Sequence, residues 1–472
     1  MASRQTFALP ALTAMVVGSM VGAGIFSLPQ TFGRVAGGLA AFIAWAIAGG
    51  GMLMLALVFQ TLARKKPELD VGVYAYARAG FGNYPGFLSA LGYWTVGCLG
   101  NVSYWVLIKS TLGSVFPVFG DGNTIAAVAV SSIGIWSFHF MILRGVKQAS
   151  TLNTIVTIAK IIPILVFIAI VAFAFDAPTF AENLGGGPGF EAVGLGAQVR
   201  GTMLVTVFVF VGIEGASVYS RYARRRSDVG LATILGFLGV LGLLVLVTML
   251  SYGVLLRPDL AALRNPSMAG VLEAVVGRWG AVFVSVGLII SVLGAYLAWS
   301  LLAAEVLFSA AKMESMPAFL ARENRNAVPS AALWLTNGLV QTFLIATLFA
   351  EEAFILAVKL TSSMILLPYL LTAAYALKLA IKEDGTLVKE RGGDLVVALL
   401  ATLYAVGLIF AGGLQYLLLA LIIYAFGTAL FIITQIERKN RVFTKAEGGI
   451  FAIISSGAAL ALWGLLSGYI RI

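Results

Sequence analysis

Three glycines, Gly18, Gly22 and Gly24, interrupt the first membrane-length apolar segment of the chain, which runs over residues 9–32. An unwound helix in hydrocarbon leaves backbone N–H and C=O groups unpaired, so such a break survives where it lines a polar cavity or holds a ligand. Close packing of two helices is the alternative, because glycines four residues apart let helices approach. A matching break later in the chain favours the ligand site.

That second glycine-rich stretch, at residues 208–217, lies in the sixth apolar segment. Backbone N–H groups at the start of a helix attract an anion, so the residues Ala23, Gly24 and Ile25 are predicted to bind a carboxylate. Freed carbonyls near Val211 and Gly212 are predicted to accept hydrogen bonds from an amino group. The two breaks together predict a site for an α-amino acid.

Ionisable side chains at membrane depth are expensive and usually functional. The chain has two such carboxyls and three such amines: Lys109, Lys160, Glu214, Glu305 and Lys359. This set does not make a metal site, and one histidine (His139) with one cysteine (Cys98) offers no nucleophile–base pair for hydrolysis. We therefore expect neither an enzyme nor a bound cofactor.

The buried ionisable groups suggest different roles. Glu214 follows the second break and is suited to gating or proton coupling, with a hydrogen bond between helices as the alternative. Glu305 either pairs with Lys160 or faces a cytoplasmic vestibule. Lys109 and Lys359 lie towards the ends of apolar segments, and we expect their ammonium groups to reach the membrane interface.

The remaining two residues have plainer interpretations. His139 is predicted to pack near the membrane interface rather than to relay protons. Cys98 is predicted to be a small apolar filler.

The composition predicts the elements that position these residues. Hydrophobic residues make up 60% of the chain, charged residues 11%, and the mean hydropathy is +0.98. A soluble fold of this length could not cover so much apolar surface, so the chain is predicted to be a polytopic membrane protein. At about 20 residues a crossing, apolar segments predict thirteen spans: 9–32, 38–62, 85–115, 124–143, 150–175, 195–220, 229–256, 274–311, 331–350, 353–380, 395–411, 413–435 and 449–470.

Basic residues are distributed unevenly over alternating loops. Of the 31 lysines and arginines, 22 fall on one set of loops, six on the other and three within the spans. The positive-inside rule then predicts a cytoplasmic N-terminus in the inner membrane and, with thirteen spans, a C-terminus outside. The basic clusters are explained as topology signals and contacts with anionic lipids, so no nucleic-acid partner is expected.

The positions of the breaks predict an architecture. Breaks in spans one and six are typical of transporters built from two inverted five-helix repeats with discontinuous helices. We expect an all-α membrane protein with one repeat over residues 1–180, a second over 195–385, and peripheral C-terminal spans over 393–472. The total is twelve or thirteen spans, and the thirteenth, 449–470, is expected to face lipid.

Several motifs resemble those of one transporter group, the amino acid/polyamine/organocation superfamily. The similar stretches are residues 18–30, 67–78, 93–94, 100–101, 212–217 and 298–305. Within the superfamily they are most similar to the basic amino acid antiporters, in particular the arginine/ornithine antiporters. The resemblance extends over nearly the whole chain, from span one to span twelve.

The resemblance implies a set of substrate-binding residues. Ala23 and Gly24 would bind the substrate carboxylate. Asn101 and Trp299 would contact the aliphatic and cationic end, and a desolvated aromatic face suits a guanidinium or an ammonium group. Bilayer packing is the alternative for Trp299. Thr361 lies where the family has a small hydroxyl residue near the guanidinium.

The resemblance also implies gating and coupling residues. Phe208 takes the place of a gating tryptophan in related arginine/agmatine antiporters. Tyr93, Glu214 and Tyr369 match a polar layer that forms an inner gate. Lys160 falls where some proton-coupled relatives have a lysine in place of a sodium ion.

These features predict a secondary transporter that exchanges cationic amino acids, with arginine entering as ornithine leaves, and with lysine as a further candidate substrate. A proton-coupled or broad-range amino acid importer is the alternative, and Lys160 would be its telling residue. A channel or receptor would show a filter repeat or a soluble sensing domain, and the sequence has neither. The oligomeric state is open, and a homodimer is compatible with the sequence.

Overall fold

The computed structural model describes residues 9–69, 73–145, 149–187, 190, 193–214, 226–382 and 388–470. Every element of more than four residues within these ranges is an α-helix. The first nine are α1 Leu9–Met20, α2 Leu28–Val35, α3 Gly38–Lys65, α4 Val73–Phe81, α5 Asn83–Gly113, α6 Ile125–Leu143, α7 Ala149–Phe173, α8 Ala177–Leu184 and α9 Leu195–Phe210. The others are α10 Arg226–Ser251, α11 Arg257–Ala262, α12 Ser267–Val276, α13 Arg278–Lys312, α14 Ser330–Ala346, α15 Ala353–Lys382, α16 Val388–Ala411, α17 Leu414–Glu437 and α18 Lys445–Leu466.

These helices follow from the apolar segments, because a chain in hydrocarbon must satisfy its backbone hydrogen bonds internally. Within the described ranges, nine helices are long and apolar enough to cross a membrane, and up to eleven are if each of two bent pairs counts as one crossing. The other two predicted spans fall on α5 and on α9, which has only 16 residues because it ends at the second break. The all-α membrane fold predicted from the sequence is confirmed, whereas the inverted repeat stays a prediction.

The first break separates α1 from α2. Residues 21–23 are not helical, a 3-10 helix follows at Gly24–Ser27, and the two helical arms are bent by 43°. Pro29 lies in the first turn of α2, where its missing N–H has no helical partner to lose. The glycine-rich sequence therefore does produce a discontinuous first span.

The second break follows α9. The helix ends at Phe210, and residues 211–214 form a turn in which Gly212 has a φ of 107°. A backbone with this φ favours glycine, because a side chain would be strained there. The rest of the predicted break, Gly215 to Ser217, lies outside the described residues.

The chain divides into two compact units. The first comprises Met1–Leu53, Ser103–Ser131 and Gln148–Leu297. Here α1 packs along α10, and α2 packs against α9 and α11. A cluster of rings fills the space between α2, α3, α9 and α10, with centroids 5.2 to 6.2 Å apart: Phe32, Trp45, Phe210 and Phe237. Residues close to both breaks, Phe32 and Phe210, thus belong to one aromatic cluster of the first unit.

The second unit comprises Met54–Val102, Ser132–Lys147 and Ala298–Ile472. Here α15 packs against α4, α16 and α17, and α17 packs against α18. A capping box formed by Thr444 and Glu447 begins α18, the predicted thirteenth span. Leu460 and Trp463 of this helix are exposed, as expected for a helix that faces lipid.

Candidate substrate site

The first break leaves a row of backbone donors unused. Among the described residues, the N–H groups of residues 22–25 make no backbone hydrogen bond, whereas Val21 N donates to Val17 O and Phe26 N donates to Ala23 O. Ala23, Gly24 and Ile25 are all buried. Buried N–H groups at the start of a helical segment form an anion-binding position. This arrangement is the geometry that carboxylate binding by these residues requires.

A lysine replaces one of the lost helical hydrogen bonds. The Nζ of Lys160, on α7, donates to the carbonyl oxygen of Gly18 at 3.0 Å. In an unbroken helix that carbonyl would accept from Gly22 N. Lys160 is buried and belongs, like α1, to the first unit. Its ammonium group therefore stabilises the carbonyl side of the break.

Gly24 is packed against α9. A Cβ atom at this position would lie 2.6 Å from Cγ1 of Val209 and 2.9 Å from Cδ1 of Phe208. The ring of Phe208 thus lies directly beside the break, where the resemblance assigns a gating aromatic residue. Because the branched side chain of Val209 is stiff, a larger residue at Gly24 would have to displace the backbone.

The two breaks touch each other. The hydroxyl of Ser19 lies 2.9 Å from the carbonyl oxygen of Gly212, to which it donates. A Cβ at Gly212 would be only 2.6 Å from the carbonyl oxygen of Ser19. Glu214 is fully buried, and its Oε2 accepts from Gly212 N at 3.3 Å. Val211, which begins this turn, is also buried.

The second unit holds other residues predicted to bind the substrate. Asn101 of α5 donates from Nδ2 to the hydroxyl of Ser300 on α13 at 3.1 Å, and both residues are fully buried. The amide oxygen of Asn101 has no hydrogen-bond partner in the described part of the chain. An unpaired buried acceptor is costly, and here it is available to a cationic donor.

Trp299 lies next to Ser300 on α13 and is half-buried. A Cβ at Gly97 of α5 would be 2.9 Å from Cβ of Ala303 and 3.8 Å from Cε3 of Trp299. Gly97 therefore lets α5 and α13 approach closely, and it leaves the indole ring beside the turn of α5 that precedes Asn101. The arrangement agrees with both packing and substrate contact for Trp299.

Three further predicted residues lie on helices of the second unit. Thr361 of α15 is buried, and its hydroxyl donates to Ala357 O at 2.7 Å within the same helix, which leaves the oxygen able to accept. Tyr369, two turns later, is fully buried and makes an edge contact with Phe59 at 5.8 Å between centroids. Tyr93 of α5 is buried as well.

A family model described as amino acid permease matches residues 7–434 of the chain. The chain belongs to the amino acid permease family. Such a match over most of the sequence, together with the apolar helices, makes the permease a multi-pass membrane protein.

Three relatives match this permease over nearly its full length. It is 52% identical to the arginine/ornithine antiporter of Pseudomonas aeruginosa, over 100% of this chain and 99% of that protein. It is 42% identical to the L-lysine transport protein of Corynebacterium glutamicum, over 99% and 96%. It is 39% identical to the arginine/agmatine antiporter of Chlamydia pneumoniae, over 98% and 97%. The resemblance inferred from the motifs is confirmed.

Glu305 of the permease is exposed, and its Oε1 accepts from the hydroxyl of Ser309 at 2.9 Å. Of its two predicted roles, exposure matches the one at a vestibule. Burial raises the pKa of the nearby Tyr74 hydroxyl well above its ordinary value, and the negative charge of Glu305 raises it further. Tyr74 therefore stays neutral, and its hydroxyl lies 3.5 Å from Sδ of Met313.

Two lysines of the permease behave differently from each other. Lys109 is only 4% exposed. Its Nζ lies 5.8 Å from the centroid of the Trp105 ring and 5.2 Å from that of the Phe119 ring. That this ammonium group reaches the membrane interface stays a prediction. Lys359 is half-buried, with its Nζ 5.0 Å from the centroid of the Tyr416 ring.

The single histidine and the single cysteine are both packing residues. His139 is fully buried against Trp334, with ring centroids 4.3 Å apart, and its Nδ1 lies 2.9 Å from Nδ2 of Asn337. It is thus a packing residue, and its position near the membrane interface stays a prediction. Cys98 is buried on α5 as predicted.

Sequence reasoning missed three residues at these positions. Ser19 connects the two breaks, Ser300 binds Asn101, and the hydroxyl of Tyr104 would lie 3.1 Å from a Cβ at Gly22. Tyr104 lies one helical turn after Asn101, and this spacing alone predicts that the two residues are neighbours on α5. The sequence does not indicate the roles of Ser19 and Ser300, because a serine hydroxyl in a membrane helix commonly bonds its own backbone.

Proposed function

We propose that this permease exchanges cationic amino acids across the cytoplasmic membrane, taking up arginine as it releases ornithine. The observation that carries the proposal is the 52% identity, along the whole chain, with a protein named arginine/ornithine antiporter. The L-lysine transport protein among its relatives supports the same substrate class and makes lysine a further candidate.

The first unit supplies groups that every α-amino acid would use. The unbonded N–H groups of residues 22–25 support the assignment of the substrate carboxylate to Ala23, Gly24 and Ile25. Carbonyls near Gly212 are the proposed acceptors for the α-amino group. Glu214, buried beside them, would then act as a gating or coupling residue. These contacts recognise the backbone of the substrate and not its side chain.

We assign the side chain of the substrate to Asn101, Trp299 and Thr361, as the resemblance implies. The unpaired amide oxygen of Asn101 and the acceptor oxygen of Thr361 suit a guanidinium or ammonium donor. The indole face of Trp299 adds a cation–π interaction worth about 1–2 kcal/mol when it is desolvated. Phe208 would close over the substrate, with Tyr93 and Tyr369 at the inner gate.

Equal exchange of two cations moves no net charge and requires no ion gradient. A proton-coupled or broad-range importer is the second candidate, and the contact of Lys160 favours it. Its ammonium group donates to a neutral carbonyl, Gly18 O, and has no carboxylate partner among the residues described. Such a lysine could release its proton without leaving a charge unpaired.

The topology that accompanies the proposal has the N-terminus in the cytoplasm and the breaks in two inverted repeats, residues 1–180 and 195–385. The distribution of basic residues supports the orientation. The exposed apolar side chains of α18 support a peripheral, lipid-facing role for the C-terminal helices. A homodimer is compatible with this arrangement.

Counterflow in proteoliposomes tests the proposal. Vesicles are loaded in turn with arginine, ornithine, lysine, histidine or agmatine, or left empty, and the uptake of labelled arginine is measured. We expect uptake only with a cationic partner inside, fastest with ornithine, and none into empty vesicles. Exchange with internal histidine, whose side chain is mostly neutral at pH 7, as fast as with ornithine would contradict cationic specificity.

The same vesicles separate exchange from proton coupling. An inward proton gradient imposed on empty vesicles should drive no uptake, and Lys160→Ala should lower the exchange rate without removing the need for internal substrate. Accumulation of arginine in empty vesicles, driven by the gradient and lost in Lys160→Ala, would establish the importer instead.

A further inference from the structure

A serine side chain enters the hydrogen-bond ladder of the first span. Gln30, on the first turn of α2, donates from its backbone N–H to Oγ of Ser267 at 3.1 Å. That hydroxyl lies 3.4 Å from the carbonyl oxygen of Phe26, to which it donates. In an unbroken helix Gln30 N would donate directly to Phe26 O, four residues earlier. Ser267 thus stands between a donor and an acceptor that an unbroken helix would join.

The local sequence explains why a side chain is bound at this point. Residues 24–27 form a 3-10 helix, and α2 begins at Leu28. Pro29 has no N–H group, so Gln30 N is the next backbone donor after Leu28 N. A side chain inserted between an N–H group and its usual carbonyl is a recognised cause of irregular helix geometry. The hydroxyl of Ser267 therefore lies where the 3-10 helix changes to α2.

Ser267 is well placed to make this bridge. It is the first residue of α12 and is fully buried. It follows a segment that Gln30 also contacts, because Nε2 of Gln30 donates to the carbonyl oxygen of Leu263. A serine hydroxyl within a membrane helix commonly bonds a carbonyl in the preceding turn of its own helix. At the first residue of α12 there is no preceding turn, so the hydroxyl is available to α2.

The segment before Ser267 has contacts of its own. Oγ of Ser110, on α5, donates to the carbonyl oxygen of Asn265 at 2.9 Å. Arg264 donates to Oδ1 of Asp121, at 2.6 Å from Nη2 and 3.0 Å from Nε. These bonds connect the segment to α5 and to the loop that follows α5. The chain that carries the Ser267 hydroxyl is therefore anchored to more than α2.

The unbonded N–H groups of the first break lie next to this bridge. They belong to residues 22–25, directly before Phe26. At their other end Gly22 packs against Tyr104 of α5, whose hydroxyl would be 3.1 Å from a Cβ at Gly22. The row of N–H groups thus lies between two contacts, one with Tyr104 and one with Ser267. A set of donors binds its ligand well only if neighbouring residues hold its geometry.

We propose that Ser267 is a positioning residue for the substrate carboxylate. Its hydroxyl replaces one backbone hydrogen bond of the first span and so holds the N–H groups of residues 23–25 in the direction that binding requires. The inference rests on the proposed function, which assigns the carboxylate to those groups. Ser267 acts through the backbone and not by contact with the substrate. Without its hydroxyl, Gln30 N is free to bond Phe26 O directly, and the 3-10 turn before it changes direction.

The test compares Ser267→Ala with Ser267→Thr, which keeps the hydroxyl, and with a matched control, Ser291→Ala. Ser291 on α13 is also fully buried, but its Oγ has no hydrogen-bond partner within the described ranges. The control therefore removes the same atom without breaking a bond. Right-side-out vesicles loaded with ornithine are used to measure KM and Vmax for external arginine. The inhibition constant of external agmatine, which lacks the carboxylate, is measured in the same vesicles.

In Ser267→Ala we expect the KM for arginine to rise roughly 2- to 12-fold, because the loss of one hydrogen bond lowers the fraction of molecules whose site is ready to bind. Vmax should change little, because the bound state is formed once substrate saturates the site. The inhibition constant of agmatine should not change. Ser267→Thr and Ser291→Ala should both resemble the wild type.

Three results would overturn the inference. If Ser267→Ala keeps the KM of the wild type, or loses only Vmax, the serine is a packing residue. If Ser291→Ala raises the KM as much, the effect does not come from the bridge. If the inhibition constant of agmatine rises together with the KM for arginine, the effect is not on the carboxylate groups. Failure of the proposed function is distinguishable, because the wild-type vesicles would then show no ornithine-dependent uptake at all.

Discussion

The two units hold different kinds of groups among the residues predicted to bind the substrate. The first unit holds backbone groups, which are the unbonded N–H groups of residues 22–25, the carbonyl of Gly18 that Lys160 binds, and the turn at Gly212. The second unit offers side chains, namely an amide, an indole and a hydroxyl. Backbone groups can bind what all amino acids share, whereas side chains must distinguish one amino acid from another. Changes in the first unit should therefore abolish transport, and changes in the second should alter selectivity.

The largest effect is expected from Gly24→Leu. The new side chain would overlap Val209 and Phe208, displace the backbone of the break and lower transport of every substrate by about 100-fold or more. Counterflow of arginine and of lysine measures this. Gly242→Leu on α10, where a Cβ meets nothing within 4 Å, is the control and should transport normally. Normal transport by Gly24→Leu would contradict the binding of the substrate carboxylate by the backbone of residues 23–25.

Gly212→Ala should have the next largest effect. A φ of 107° strains an alanine, and its Cβ would press on the carbonyl of Ser19. With strain of about 1–3 kcal/mol, transport should fall roughly 5- to 150-fold for all substrates alike. Gly196→Ala, whose Cβ would lie in open space on α9, should be near normal. If Gly212→Ala lowered transport of arginine but not of lysine, the first unit would not act on all substrates alike.

Trp299→Leu should weaken binding of cationic substrates by about 1–2 kcal/mol, or roughly 5- to 30-fold, while Trp299→Phe keeps much of the affinity. Isothermal titration with arginine and ornithine measures this. The effect should vary between the two substrates, because a planar guanidinium group stacks on an aromatic face better than an ammonium group does. Equal affinities for wild type and the leucine variant would exclude a cation–π role.

The smallest effect is expected from Thr361→Val. The hydroxyl proton already goes to Ala357 O, so a substrate loses only an acceptor, and affinity for arginine should fall less than about 3-fold. Thr361→Ser, which keeps the hydroxyl, should match the wild type in the same titration. A drop of the size expected for Trp299→Leu would mean that the threonine is a principal contact.

The sequence predicts where the helices break, but not which side chains contact the broken segments. Glycines at 18, 22 and 24 and at 212 indicate discontinuous helices directly, because the cost of unwinding in hydrocarbon is local. The contact of Lys160 with Gly18 depends on how helices distant in sequence pack together, and the hydrophobic periodicity does not predict it. The same holds for the contact of Ser300 with Asn101. Lys109 shows the same limit, because its position near a helix end does not predict that the rings of Trp105 and Phe119 lie beside its ammonium group.

The hydroxyl of Ser19 lies 2.8 Å from Val16 O and 2.9 Å from Gly212 O. It has one proton, so it can donate to only one of these carbonyls at a time. Rotation of a side chain takes picoseconds to nanoseconds, whereas opening and closing of a transporter takes microseconds or longer. The Ser19 hydroxyl can therefore switch from Gly212 O to Val16 O, within α1, and back again roughly thousands of times during one such movement. It aligns the breaks without ever setting the speed of the cycle.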